Sequence, residues 1–598
     1  MQRRGKNFRW PALREEQRYW LLVPVTGVVA GLLAVTLEKV LRAVQAVAWG
    51  RDGQLFEAIL QTRSTFPGGV LLIPTLGGVL VTVCYLLLRK RDQLQGTAAM
   101  MEALTVKRGR LPPLRALVES LTSITAVGMG ASVGREGPMI YSGSAIGSWL
   151  GVKFRLDDRH VKMLLACGAA GGIAAAYNVP IGASVFAMEV LLGTFALELF
   201  GPIIICSVIS TTIARVVIGE QPTYLIPTGN LVLVSEWEIL LDLGLGVLMG
   251  LVSVLFIRVF SGLGKLFGWL QPLKHVKPIV AMALLGATGF FCPQIFGNGY
   301  DTVNLVLNSA DSGAHPLSLR LLLLLPVAKI LMTALCRAGG VPGGLFTPSL
   351  FIGALLGGAF GIGVNALFPE GSVATPGTYA LVGMGAILSG TLHAPITAVL
   401  IIFELTHDYG IILPLMSACI SSAFVSYFVQ GGSLYTEPLK RIGIRLPTAL
   451  TPAWLHQPTI RSVVHQTGAT VSPAEGFDRV MEKFLAAPEG ENQLYVTNEE
   501  GEFLGTISLH EIKLFFRETE HLDSVIAADI ANVSGPFVHA DDPVSRAIDI
   551  LADSNAEFLP VLESPTSKRL IGAVSKRNLL AAYRETNIAR QTFQKGDH

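Results

Sequence analysis

The sequence predicts an all-α polytopic membrane protein with two related halves and many broken helices, followed by a soluble α/β module at the C-terminal end. Three observations carry that expectation. Only 15% of the 598 residues are charged, against roughly a quarter in soluble proteins. Apolar runs near the roughly 20-residue spanning length recur along most of the chain. Beyond about Arg445 charged residues become frequent. With 63 glycines and 32 prolines, the helices are expected to be interrupted, as where unwound backbone lines a protected cavity.

In chain order, residues 1–18 carry Arg3, Arg4, Lys6, Arg9, Arg14 and Arg18 against Glu15 and Glu16. This pattern predicts a cytoplasmic N-terminal segment rather than a cleavable signal. Residues 19–445 form the expected membrane domain, with apolar runs at Tyr19 to Leu37, Val70 to Leu88, Leu240 to Val259, Ile279 to Phe291, Leu319 to Leu335 and Ile411 to Val429. Arg89, Lys90 and Arg91, then Lys107, Arg108 and Arg110, mark a second inner loop. The protein is expected in an inner or plasma membrane with both termini in the cytoplasm. A net charge of +2 singles out no partner besides the lipid bilayer, and no nucleic-acid face is apparent. All six cysteines stand singly in apolar runs without CxxC spacing, which argues against a disulfide framework or a zinc site.

The membrane part repeats. Asn178-Val179-Pro180-Ile181 leads through Ala183 to Glu189, and His393-Ala394-Pro395-Ile396 leads through Ala398 to Glu404, with nine residues from proline to glutamate each time. Upstream, Gly-rich loops end in Pro138 and Pro348, 210 residues apart. The halves therefore run over roughly 112–230 and 318–430, and repeats of this kind place a site where they meet. The sequence leaves open whether they are inverted.

Glu136 lies in the first of these loops, Gly134-Arg135-Glu136-Gly137-Pro138. A charge at membrane depth is costly and usually lines a cavity or an ion path. The second loop, Gly343-Gly344-Leu345-Phe346-Thr347-Pro348, opens another apolar run. Each helix start offers unpaired N–H donors and about half a positive charge, which holds an anion without a full countercharge. Weak, multiple contacts of this kind suit conduction. Plainer readings stand beside this one: Glu136 as a structural acid paired with Arg135, Lys329 as a snorkelling or ion-paired cation, and Glu189 and Glu404 as structural acids.

Gly134 to Pro138 and Gly344-Leu345-Phe346-Thr347-Pro348, with Gly297-Asn298-Gly299-Tyr300, Asn178-x-Pro180 and His393-Ala394-Pro395, resemble in order the motifs of the CLC family of chloride channels and chloride/proton antiporters. The match extends over roughly residues 20–440. It implies passage of chloride or a similar small anion, with Glu136 as the gating glutamate that shares a place with the anion. Leu345 and Phe346 would supply amides to the anion, Gly134, Arg135, Gly137 and Gly344 would bind it with them through the inward N–H groups of the two loops, and Tyr435 would reach it with its hydroxyl. Gln95 takes the position of the family's usual serine and would donate to the anion from its side-chain amide, which bears on anion preference. Val190 stands where antiporters typically carry a second glutamate. The resemblance thus implies passive or only loosely proton-coupled transport, with a chloride/proton antiporter using another proton route as the alternative, and a homodimer with one path per subunit.

The tail contains a tandem: Val480 to Phe484, Leu494 to Val496 and Gly505-Thr506-Ile507-Ser508, against Ala547 to Leu551, Phe558 to Val561 and Gly572-Ala573-Val574-Ser575. Each unit reads as helix, strand, strand and helix. The tail, 446–598, resembles a pair of CBS domains, at about 457–526 and 527–590. No cofactor is required, but Ser508, Glu511, Ser575 and Asn578 match positions that grip an adenine nucleotide, with Glu511 and Asn578 in place of the usual aspartate. A packing module that binds nothing is the plainer reading. Rivals of another class are a nucleotide-sensing membrane protein, a cation transporter with CBS domains and an intramembrane enzyme. The apolar runs hold no paired Ser/His, Asp dyad or metal-spaced His/Glu set that an enzyme would need.

Overall fold

The computed structural model describes residues 14–440 and 459–579 except 51–54, 89–95, 220–223, 227–233, 270–275, 309–316, 370, 465–469, 487–492, 510, 514–523, 543, 554–556 and 565–566. The chain divides into two compact units, Met1–Leu450 and Thr451–His598. The first is helical: α1 (Glu15–Trp49), α2 (Leu55–Thr65), α3 (Gly69–Leu88), α4 (Thr97–Thr105), α5 (Pro113–Gly128), α6 (Glu136–Lys153), α7 (Asp158–Tyr177), α8 (Pro180–Phe186) and α9 (Leu197–Ile218). Then come α10 (Glu238–Trp269), α11 (Lys277–Phe291), α12 (Tyr300–Leu307), α13 (Leu319–Ala338), α14 (Phe346–Leu367), α15 (Pro376–Leu392), α16 (Pro395–Thr406) and α17 (Ile412–Gln430).

Among the described residues eight helices are long and apolar enough to cross a membrane. Five contain runs read from sequence as spans and Phe346–Leu367 contains the apolar run, Ser349 to Phe360, that the second loop opens, whereas Asp158–Tyr177 and Leu197–Ile218 were not singled out. In α7 the cause is visible: it is built of alanine and glycine and is almost wholly inside the protein, so it lacks the large apolar side chains that a lipid-facing helix shows.

The repeats are recognisable in how their helices pack. Gly143 of α6 and Gly168 of α7 lie so close that a Cβ on either would overlap the other's carbonyl oxygen, and Gly353 of α14 and Gly383 of α15 meet in the same way. Small residues allow this approach, from which helix association in lipid draws van der Waals contact. Each half therefore presents its loop-headed helix, α6 or α14, from a backbone-to-backbone pair.

The orientation of the halves follows from two carboxylates. Glu189, on a π-helical turn (Ala187–Leu192) that continues α8, accepts from the amides of Ile396 (3.3 Å) and Thr397 (2.7 Å) and from the Thr397 hydroxyl (2.6 Å). Glu404, at the far end of α16, accepts from the amides of Ile181 (2.9 Å) and Gly182 (2.6 Å). Each acid thus caps the first turn of the other half's helix, where unpaired N–H groups and the helix dipole favour negative charge. Two equivalent helices that cap each other in this way run antiparallel, so the repeats are related by a two-fold between α8 and α16. Both glutamates are structural, as the plainer reading had it.

The second unit contains two three-stranded sheets of one topology. In the first, β1 (Thr470–Val471) pairs parallel with β2 (Gln493–Thr497), which pairs antiparallel with β3 (Phe503–Ser508). In the second, β4 (Val538–His539), β5 (Phe558–Ser564) and β6 (Ser567–Ser575) repeat the order. Gly505 and Gly572 occupy equivalent places, opposite Val496 and Val561. The two-residue opening strands are absent from the sequence reading because so short a segment shows no alternation.

A division at 526/527 also does not separate the cores. Val525, Ala527 and Ile530 pack with Val471, Val480 and Ile507 of the first sheet, while Ile460 packs with Val538, Leu559 and Val574 of the second. The linker prolines Pro447, Pro452 and Pro458 lie outside the described residues.

Glu189→Ala is expected to lower stability by about 3 kcal/mol, because hydrogen bonds to a charged acceptor are each worth roughly 1.5–3 kcal/mol and their buried donors would be left open. Thermal unfolding of the detergent-solubilised protein checks this; an unchanged midpoint would mean that the caps contribute nothing.

Candidate functional site

The two Gly-rich loops meet as an antiparallel pair. The Gly134 amide donates to the Gly344 carbonyl and the Gly344 amide to the Gly134 carbonyl, both at 2.8 Å. This corrects the expectation that these two glycines offer amides to an anion, since each amide is already used by the opposite loop. Their role is to hold the starts of α6 and α14 together, and Gly137 sits against the Gly344 backbone, where a Cβ would not fit.

Glu136, on the first turn of α6, is fully buried. Its Oε1 accepts from the amides of Phe346 (2.9 Å) and Thr347 (3.3 Å), and its Oε2 from the hydroxyls of Thr347 (2.7 Å) and Tyr177 (3.4 Å). The Thr347 and Tyr177 hydroxyls lie 2.6 Å apart. A side chain from one half's helix start therefore fills the N-terminal donor site of the other's. The amides on the carboxylate are those of Phe346 and Thr347. Leu345 is the residue before the first turn of α14. Chemically, the site binds one negative charge by dipoles and hydroxyls without a cation beside it.

Arg135 does not pair with Glu136. Its guanidinium bonds to Glu38 at 2.5 Å and lies 5.0 Å from the centre of the Tyr300 ring. It lines a cavity of about 400 Å³ that also reaches Tyr177, Asn178 and Arg215. A second cavity, of about 40 Å³, ends on the backbone of Gly137 and Gly344 and is lined by Leu345, Tyr435, Thr97 and Arg337. Tyr435 is 4% exposed and sets its ring edge-on to Phe186, so it is no interfacial anchor. The Glu136 carboxylate lies between the Tyr177 end of the larger cavity and the Gly344 end of the smaller.

Lys329 does not snorkel, and among the described residues it pairs with no acid. It is fully buried and donates to the carbonyls of Ile295 (3.0 Å) and Gly297 (2.8 Å), with its ammonium over the Phe351 ring. It thereby ties down the loop that leads to Tyr300. Val190 follows Glu189 on the π-helical turn and offers no acid there. Gln95 lies outside the described residues.

Sequence reasoning missed Tyr177 and Thr347. Each stands inside or beside a motif already recognised, Thr347 between Phe346 and Pro348 and Tyr177 just before Asn178. Their convergence on Glu136 joins residues 41 and 211 positions away from it, and no local pattern encodes it.

In the second unit the four candidate residues sit at helix starts after β3 and β6. The amide and hydroxyl of Ser508 both donate to Glu511 Oε2, and Asn532 donates to Oε1 at 3.3 Å. The Asn578 amide donates to Ser575 Oγ at 3.1 Å. These Ser-x-x-Glu and Ser-x-x-Asn segments are helix caps. Partial burial pushes the Glu511 carboxyl upward, but the hydrogen bonds from Ser508 and Asn532 outweigh it and hold the group below the usual carboxylate range.

Comparison with known proteins follows this geometry. Residues 77–427 match the model of the voltage gated chloride channel family, and residues 527–585 that of the CBS domain. The chain is 35% identical over 434 residues to a ClcB-like chloride channel protein of Ralstonia nicotianae, covering 71% of this chain and 98% of that protein. It is 31% identical over 436 residues to the H(+)/Cl(-) exchange transporter ClcA of Cronobacter sakazakii, covering 70% and 89%. Among solved structures, a slow cyanobacterial Cl-/H+ antiporter superposes with a TM-score of 0.62 at 23% identity, over 71% of this chain and 98% of that one. At that identity the likeness concerns the fold.

Proposed function

Because the chain belongs to the voltage-gated chloride channel, or CLC, family, we propose that it moves chloride or a similar small anion through a path gated by Glu136, passively or with only loose proton coupling. The observation that carries this reading is the Glu136 carboxylate seated on the amides of Phe346 and Thr347. A carboxylate held by N–H and O–H donors occupies the place an anion would take, so the two compete. Protonation removes its charge and weakens its hold, and the donors then become available to the anion.

The surrounding groups support the same reading. Arg42, Arg135 and Arg215 line the larger cavity against Glu38 and Asp301, an excess of positive charge that concentrates anions, and Tyr435 lines the smaller one, on the proposed cytoplasmic side. Val190 in place of the second acid favours loose coupling. The relative named an exchanger keeps a chloride/proton antiporter with a different proton route as the alternative. A cation transporter is disfavoured by a site that presents N–H and O–H donors rather than a ring of acids. We further propose a homodimer with a separate path in each subunit and both termini in the cytoplasm.

Adenine nucleotide binding in the tail is a separate proposal, resting on the match to the CBS domain and on the caps Ser508/Glu511 and Ser575/Asn578. Titration of the full chain with ATP, AMP and cyclic dinucleotides in a calorimeter is expected to give saturable heat with one of them. Silence with all three would remove the proposal and leave a packing module.

Glu136→Gln is expected to leave an anion route while abolishing its pH dependence and any coupling, measured as simultaneous chloride and proton flux in proteoliposomes; unchanged pH dependence contradicts the gate. Thr347→Val removes a hydroxyl donor from a charged acceptor, worth roughly 1.5–3 kcal/mol. The carboxylate should then leave its seat roughly 10- to 150-fold more readily, raising chloride flux at neutral pH.

A further inference from the structure

One acid close to the gate is not used by it. Glu119, on α5, is 3% exposed, and its Oε1 accepts from the Nε–H of Arg115 at 2.7 Å. Its Oε2 is shut off from solvent and has no hydrogen-bond partner among the described residues. Buried side-chain oxygens are nearly always paired, and one left open calls for an explanation. The ion pair with Arg115 accounts for Oε1 and leaves Oε2 unexplained. Carboxyl groups at membrane depth are rare and commonly belong to an ion path or a proton relay.

The place of Glu119 favours the relay. Among the residues that line the smaller cavity, Glu119 is the one acid and Arg337, in the last turn of α13, the one cation. A lining balanced in this way selects neither sign of ion, yet Oε2 can still take up a proton. On one side the cavity meets Gly96 and Thr97, just after the loop whose residues Arg89, Lys90 and Arg91 predict a cytoplasmic position. On another it meets Gly344, where an added Cβ would overlap Glu136 Oε1. Gly344 is therefore a wall that the cavity and the gate share. A volume of about 40 Å³ has room for a water molecule, and Thr97, Tyr141 and Tyr435 add hydroxyls that both donate and accept. The charges that act on Glu119 are those of Arg115 and Arg337; Glu119 and Glu102 both act on Tyr141 of α6, and Tyr85 and Tyr435 act on Arg337.

We propose that Glu119 is the inner proton acceptor of this chain, taking a proton at Oε2 from the cytoplasmic side and passing it through the smaller cavity to the Glu136 carboxylate. The proposal rests on the reading of an anion path gated by Glu136 and deepens it, by giving the loosely coupled proton an entry that Val190 does not offer. One proton moves and no other bond is broken. Glu119 ends the step ionised again, and Glu136 ends it neutral and more weakly held by its donors. Because Oε1 is taken by Arg115 and Oε2 is open, the carboxyl can gain and lose its proton without giving up its place.

The test is simultaneous chloride and proton flux in proteoliposomes of the full chain, with monodispersity on size exclusion required of every variant. Glu119→Gln keeps the length of the side chain and a carbonyl oxygen for Arg115 but cannot carry the proton. It is expected to lower the ratio of proton to chloride flux about tenfold or more while chloride continues to pass. A ratio within twofold of the unmodified protein overturns the acceptor, including the case in which both fluxes fall together, which marks a structural ion pair. Glu119→Asp keeps an acid one methylene shorter and serves if the Gln variant is not monodisperse: proton flux is expected to persist with a shifted pH profile, and an unshifted profile overturns the acceptor. Unmodified protein that passes chloride without protons would also overturn it and leave the anion path intact, whereas folded protein that passes no chloride would sink the transport reading itself.

Discussion

A carboxylate buried against two backbone amides of a distant helix start is the interaction around which the membrane unit is arranged. Glu136 has no cation beside it; its partners are the Phe346 and Thr347 amides and the Thr347 and Tyr177 hydroxyls. Such a seat exists only if α6 and α14 begin at the same point in space. The Gly134–Gly344 hydrogen bonds secure that point, and the close glycine pairs behind them let α7 and α15 pack tightly enough to hold it.

The same chemistry recurs wherever the halves touch. Glu189 and Glu404 also place carboxylates on helix starts of the opposite repeat, yet these acids are caps and Glu136 is the proposed gate. The difference lies in what surrounds them. Glu136 stands between two cavities, which in the proposed function give an anion access to its donors. Glu189 and Glu404 close helices that pack directly against each other, and neither carboxylate lines the two cavities that flank Glu136. One interaction thus serves two ends, according to access.

Much of the site was legible in the chain because it is built from local signals: an acid among glycines, a proline opening an apolar run, and a nine-residue spacing repeated in both halves. Those signals identify helix starts, and a helix start implies unpaired N–H groups whatever follows. They did not distinguish amides that are free from amides already used, which is why Gly134 and Gly344 were read as anion donors and Thr347 and Tyr177 were passed over. Lys329 was misread for a similar reason. An apolar run containing one lysine suggests an escape to the membrane surface, and its actual partners are carbonyls more than thirty residues away.

By itself the sequence determined that this chain crosses a membrane in two related halves, that each half contains a broken helix able to face an anion, and that a soluble repeated module follows. Composition and short-range spacing carry that information because helix geometry and lipid solvation act over a few residues. The tertiary structure alone decided that equivalent helices run antiparallel, which amides remain open, and that Glu119 and Arg337 share a cavity with Tyr435. Those outcomes depend on contacts between residues tens to hundreds of positions apart in the chain, and a pairing over that distance leaves no mark on the pattern of either partner.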